Sequence, residues 1–157
     1  MNIKLIAIGK TDNKALQTLI DDYQKRLSFY IKFDMEIIPD IKNVKNLSEA
    51  QQKEKEGELI LAKLSATDQL ILLDENGKNF SSVGFSDELQ KKMNSGIKTL
   101  VFVIGGPYGF SDAVYGKAQG KISLSAMTFS HQMVRLFFIE QVYRAFTILR
   151  NEPYHHQ

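Results

Sequence analysis

A chain of 157 residues, 43% hydrophobic and 24% charged, is large enough for a sizeable core and reads as one soluble globular domain over residues 1–157. No run approaches the roughly 18 apolar residues that span a bilayer, the opening MNIKLIAIGK is too short for a secretory signal, and zero cysteines exclude disulfides and thiolate metal sites, which fits a cytoplasmic protein. The net charge of +2 is too small to mark a nucleic-acid binder by itself, although Arg135, Arg144, Arg150 and all three histidines lie near the C-terminal end.

In chain order, residues 3–8 read as a strand stopped by Gly9. Ala15, Leu16, Leu19, Ile20 and Tyr23 fall at helical spacing and predict a helix over residues 13–26. Residues 33–39 read as a second strand, and residues 40–47 as a polar, lysine-bearing loop. Ser48 is placed as the N-cap of a charged helix, SEAQQKEKEGELILAKL, polar all round in its first half and apolar at its far end. Residues 69–74 form a compact apolar strand, followed by a turn at Asn76-Gly77-Lys78. Ser81 or Ser82 caps the next helix, which Gly96 ends. Residues 99–104, TLVFVI, are the strongest strand, uncharged as a strand buried in a parallel sheet should be. Ser111-Asp112 opens a short helix, residues 121–124 give a brief strand, and residues 131–150 the longest helix. This alternation predicts an α/β fold: a mainly parallel sheet with helices on both faces.

The apolar strand ends in Gly105-Gly106-Pro107-Tyr108-Gly109, which is not a G-x-G-x-x-G fingerprint, and no G-x-x-x-x-G-K-[ST] occurs. Taken alone, the turn is better explained by an ordinary tight strand-to-helix connection. Adjacent glycines nevertheless let a backbone approach a ligand, and Pro107 stiffens the turn. Two other strand ends carry comparable loops, after Leu72-Leu73-Asp74 and over residues 124–129. Three loops at the C-terminal ends of parallel strands can converge on one crevice. Small side chains, backbone groups and an apolar wall there suit a flat base with a thioether or sulfonium tail, not a triphosphate.

The last helix is apolar over more than one stripe, so one face should pack on the sheet and another on a second subunit, or else within a larger fold. Glu140 and Arg144 stand four apart, in the order that favours an intrahelical pair. His131 at the helix start serves equally well as a cap or a solvated side chain. The closing Pro153-Tyr154-His155-His156 is costly to order unless it docks. Tyr154 can stack on a base and His155 can exchange a proton near neutral pH. Tyr154, His155 and Arg144 are therefore the candidate catalytic residues. No H-E-x-x-H or calcium-loop pattern supports a metal site.

GKTDNKALQTLIDDYQKRL, KEKEGELIL, LLDENGKNFSS, FVIGGPYGF, LSAMTFSHQMVRLFFIEQVYRAF and the closing PYH together resemble the SPOUT-class methyltransferases, within them the RlmH family of 23S rRNA pseudouridine-N3 methyltransferases. The resemblance covers essentially the whole chain. It implies a C-terminal trefoil knot, a homodimer, and S-adenosylmethionine held in the knotted loops. Carried over by motif, the methyl-donor contacts fall on Leu73, Gly105, Leu124, Ser125, Ala126, Met127, Thr128 and Phe129. The implied substrate is a pseudouridine in the helix 69 loop of 23S rRNA within the assembled ribosome; another RNA, such as a tRNA ribose, or a non-catalytic ribosome-binding role are the alternatives. Two positions depart from the family pattern: Ser130, where proline is common, and His156, where a basic residue is common.

Overall fold

The computed structural model describes residues 1–156 and contains one wholly parallel sheet of five strands. These are β1 (Asn2–Ile8), β2 (Phe33–Ile38), β3 (Gln69–Asn79), β4 (Thr99–Ile104) and β5 (Gly120–Ser123), in the spatial order β2-β1-β4-β3-β5. The helices are α1 (Lys14–Leu27), α2 (Glu49–Ala62), α3 (Ser82–Asn94), α4 (Asp112–Lys117) and α5 (Met133–Leu149), with a single 3-10 turn at Val44–Asn46. Side-chain alternation along the strands sorts the core into two layers. Ile3, Leu5, Ala7, Ile71, Leu100, Phe102 and Ile104 face α1, α3 and α5. Ile6, Leu70, Leu72, Val101 and Val103 face the other side, where Ile60 of α2 and Val114 of α4 cover them. Helices on both faces explain why β4 has no polar side.

Local chemistry sets most element starts. The Asn13 side chain accepts from the Leu16 N–H at 3.1 Å and begins α1. Ser48 and Gln51 form a reciprocal capping box on α2. Ser81 caps α3 and Ser111 caps α4. The polar first half of α2 is therefore a defined helix with its ends satisfied. Its register puts Glu56, Gly57 and Ile60 in the interior.

One expectation changes. Asn76-Gly77-Lys78 is not a free turn after a short strand, because β3 continues to Asn79. Ile122 of β5 pairs with Leu73 and, after a break in register, again with Lys78. The chain crosses over β5 between these two grips. Gly77 lies so close to the crossing that a Cβ there would stand 2.5 Å from the Ile122 carbonyl carbon. Any side chain at this position would push the two segments apart. Among the described residues no helix is long and apolar enough to cross a membrane.

Candidate active site

The C-terminal ends of β3, β4 and β5 open into one crevice of about 510 Å³, within the usual range for a small-molecule site. Leu73, Gly105 and the run Leu124, Ser125, Ala126, Met127, Thr128 and Phe129 all line it. Three strand ends separated in sequence thus share one cavity, as their common polarity in a parallel sheet requires.

Short-range hydrogen bonds shape each wall. Ser123 Oγ donates to the Ser125 carbonyl at 2.9 Å, and Ser125 Oγ accepts from the Met127 N–H at 2.9 Å. The Met127 side chain stands at the mouth, 77% exposed. Ser130, at the position where the family often carries proline, secures the loop in another way. Its hydroxyl accepts from the Met133 N–H at 3.1 Å and its carbonyl from the Val134 N–H at 3.0 Å, so the segment enters α5 already bonded. Phe129 packs on Phe137 with ring centroids 4.9 Å apart. On the opposite wall, the Gly109 N–H donates to the Gly106 carbonyl at 3.2 Å and closes the glycine turn.

The electrostatics of the crevice are one-sided. Asp74 and Glu75 line it, and its lining contains no lysine or arginine. Asp74 accepts from the Asn76 N–H at 2.8 Å and from the Tyr115 hydroxyl at 2.5 Å. Burial and this carboxylate push the Tyr115 phenol up to about 12, so it remains a donor at neutral pH. A cavity with two carboxylates and no fixed cation favours a neutral or cationic guest and opposes a polyphosphate. His131 also faces the crevice, and its carbonyl accepts from Arg135 Nε at 3.0 Å.

Arg135 is not available to a phosphate. It is 1% exposed, and its guanidinium also donates to Thr11 Oγ1 at 3.2 Å and to the Ile8 carbonyl at 2.8 Å. It ties the start of α5 to the end of β1. Sequence alone grouped this residue with the two arginines nearer the tail; its burial in the structure separates it from them.

Tyr154, His155 and Arg144 come together, but away from the crevice of their own chain. The Tyr154 hydroxyl donates to Glu140 Oε1 at 3.0 Å and lies 3.0 Å from the Tyr23 hydroxyl. Arg144 stacks over the Tyr154 ring at 4.7 Å, pairs with Glu140, and lies 3.3 Å from His155 Nδ1. A guanidinium can only donate, so Nδ1 accepts and the neutral ring carries its hydrogen on Nε2. Burial, with the Tyr23 and Glu140 contacts, raises the Tyr154 pKa well above its ordinary value. The single Tyr154 hydroxyl hydrogen is thus held by Glu140, and the docked tail presents His155 Nε2–H as a donor. Arg150 stacks over Tyr30 at 4.5 Å on the same face. The crevice sits at the N-terminal end of α5, whereas the tail docks beside Glu140 and Arg144, roughly 10–17 Å along the helix from Met133 at 1.5 Å per residue, and none of Arg144, Tyr154 and His155 lines the crevice. The tail does not reach over its own crevice.

Sequence reasoning passed over Glu75, Tyr115 and Glu56. The last lies under the glycine turn, and a Cβ on Gly106 would run into its carboxylate. An isolated glycine inside a helical pattern, Gly57, was the available hint of close packing there. Among the described residues no group of three or more His, Cys, Asp or Glu is placed to hold a metal ion.

Residues 1–155 match the family model described as "Predicted SPOUT methyltransferase". Over 157 residues, 100% of both chains, the sequence is 90% identical to the ribosomal RNA large subunit methyltransferase H of Flavobacterium johnsoniae. It is 87% identical over the same span to the protein of that name from Flavobacterium psychrophilum. Identity to the corresponding protein of Phocaeicola vulgatus is 57%, again over 100% of each chain.

Proposed function

The chain belongs to the SPOUT methyltransferase family, and from that premise we propose that it methylates N3 of a pseudouridine in the helix 69 loop of 23S rRNA, using S-adenosylmethionine, on the assembled ribosome. The relatives named above are large-subunit ribosomal RNA methyltransferases. Residues 1–157 form a single methyltransferase domain in this reading, and the ribosome makes the cytoplasm its place of work.

One observation carries the proposal: three strand ends share a crevice that holds Asp74 and Glu75 but no lysine or arginine. S-adenosylmethionine, when bound, supplies an electrophilic methyl carbon on a sulfonium. Leu73, Gly105 and residues Leu124, Ser125, Ala126, Met127, Thr128 and Phe129 would hold it, with the two carboxylates favouring its positive charge. Apolar Leu73, Leu124 and Phe129 keep bulk water from the reacting end.

The acceptor base needs donors that hold it in line with the methyl carbon, since alignment supplies much of the rate. His155 Nε2–H and Arg144 form such a set, and Tyr154, whose hydroxyl donates to Glu140, holds the tail that carries them. Because the tail does not line the crevice of its own chain, a two-fold homodimer brings one subunit's tail to the other's crevice. Tyr154 stays protonated, so it supports the tail and does not remove the base's proton.

Calorimetric titration of the purified protein tests the donor site. Saturable heat with S-adenosylmethionine and none with ATP is the expected pattern. No heat with S-adenosylmethionine would leave a ribosome-binding module without catalysis.

A further inference from the structure

Glu56 has no role in the chemistry above, yet its setting is unusual. It is 3% exposed. Its Oε1 accepts from Gln52 Nε2 at 3.1 Å, while Oε2 is the one buried side-chain polar atom among the described residues without a partner. Native proteins rarely leave such an atom unpaired. That oxygen is aimed at the glycine turn, where it occupies the space a side chain on Gly106 would need. Close helix packing produces this placement: a Cβ on Gly57 would collide with Ser111 Oγ and crowd Val114, so α2 lies hard against the start of α4.

The groups that face Glu56 bear on its charge. Gln52 is on its own helix, Asp40 follows β2, and His131 precedes α5. Burial above all, and then Asp40, hold the carboxyl above the usual carboxylate range, against the opposing effects of Gln52 and His131. A neutral acid at this site places a hydroxyl donor against the turn.

We infer that Glu56 is a positioning residue for the methyl-donor loop, donating from Oε2 to the backbone of residues 105–107 when that segment seats on the donor. The inference rests on reading the crevice as the S-adenosylmethionine site. Satisfying the orphaned atom on binding adds to donor affinity, and the contribution is lost once Glu56 ionises. The sign follows: the folded-state carboxyl is raised, so the contact is present at low pH and disappears as pH climbs through that raised value.

Titration of S-adenosylmethionine into the full-length protein, Glu56→Gln and Glu56→Leu from about pH 5 to pH 8 tests this, since buried glutamates titrate as high as about 8–9. Unaltered protein should bind more weakly as pH rises. Glu56→Gln, which keeps a donor, should bind with a flatter pH profile. Glu56→Leu should bind about tenfold more weakly at low pH, the scale of an unmade buried hydrogen bond. If Glu56→Leu does not fold, the comparison of Glu56→Gln with unaltered protein decides alone. Identical affinities and pH profiles in the unaltered and variant proteins would overturn the inference and leave the donor site standing. No heat with unaltered protein would overturn the donor site and the inference together.

Discussion

The residues proposed to hold the methyl donor lie close together because three loops follow parallel strands, and parallel strands end on the same side of a sheet. That much is legible in GGPYG, in LLDE and in LSAMTF. The fate of each arginine is not, since spacing cannot distinguish a buried tie from a free cation. Arg135 and Arg144 are nine apart on one helix, yet one bonds three backbone and side-chain oxygens in the interior and the other stacks on a tyrosine. Glu56 is equally silent in sequence, because KEKEGE reads as a solvated face until α2 is packed. At this scale the tail is the part to test. Tyr154→Phe keeps the ring under Arg144 and removes the hydroxyl shared with Tyr23 and Glu140, whereas His155→Ala removes the Nε2 donor. Single-turnover methyl transfer should slow by about tenfold to a hundredfold in each, the scale of one lost orienting contact, with affinity for S-adenosylmethionine unchanged. Unaltered rates in both would remove the tail from the chemistry.

The helix starts are legible in the sequence because their caps are local: Asn13, Ser48, Ser81 and Ser111 each begin a helix by bonding an N–H three residues ahead. The crossing of β3 over β5 was not legible. It depends on Gly77 meeting Ile122, a contact between segments far apart in the chain, and no periodicity encodes it. Knotted chains are rare enough that only membership of a knotted family raises the expectation. The start of α5 is held to the segment that ends β1 by Arg135, on Ile8 and Thr11, and by Gln132, on Lys10 and Asp12; of these only Arg135 is buried. Arg135→Met keeps much of the volume and strands the Ile8 and His131 carbonyls. Each stranded acceptor costs about 1–3 kcal/mol. Thermal unfolding should therefore show a drop of several degrees or more, with the donor site weakened because its last wall runs into α5. A melting temperature equal to that of the unaltered protein would deny Arg135 this role.

Across the whole molecule, charge and size set the choice of substrate form. A net charge of +2 on 157 residues gives one subunit little grip on naked RNA. The proposed account therefore places recognition in the shape of the assembled ribosome and in two subunits acting together. Met133 and Phe137, 40% and 38% exposed, leave apolar surface on α5 beside the crevice, where a second copy would bring its tail. The most direct measurement is incubation of the purified protein with labelled S-adenosylmethionine and ribosomes lacking the modification, followed by mass mapping of the RNA. The account predicts one methyl group on the base of a pseudouridine in the helix 69 loop, with much slower transfer to a free helix 69 oligonucleotide. Label on a ribose, on another RNA, or on no RNA at all would contradict it.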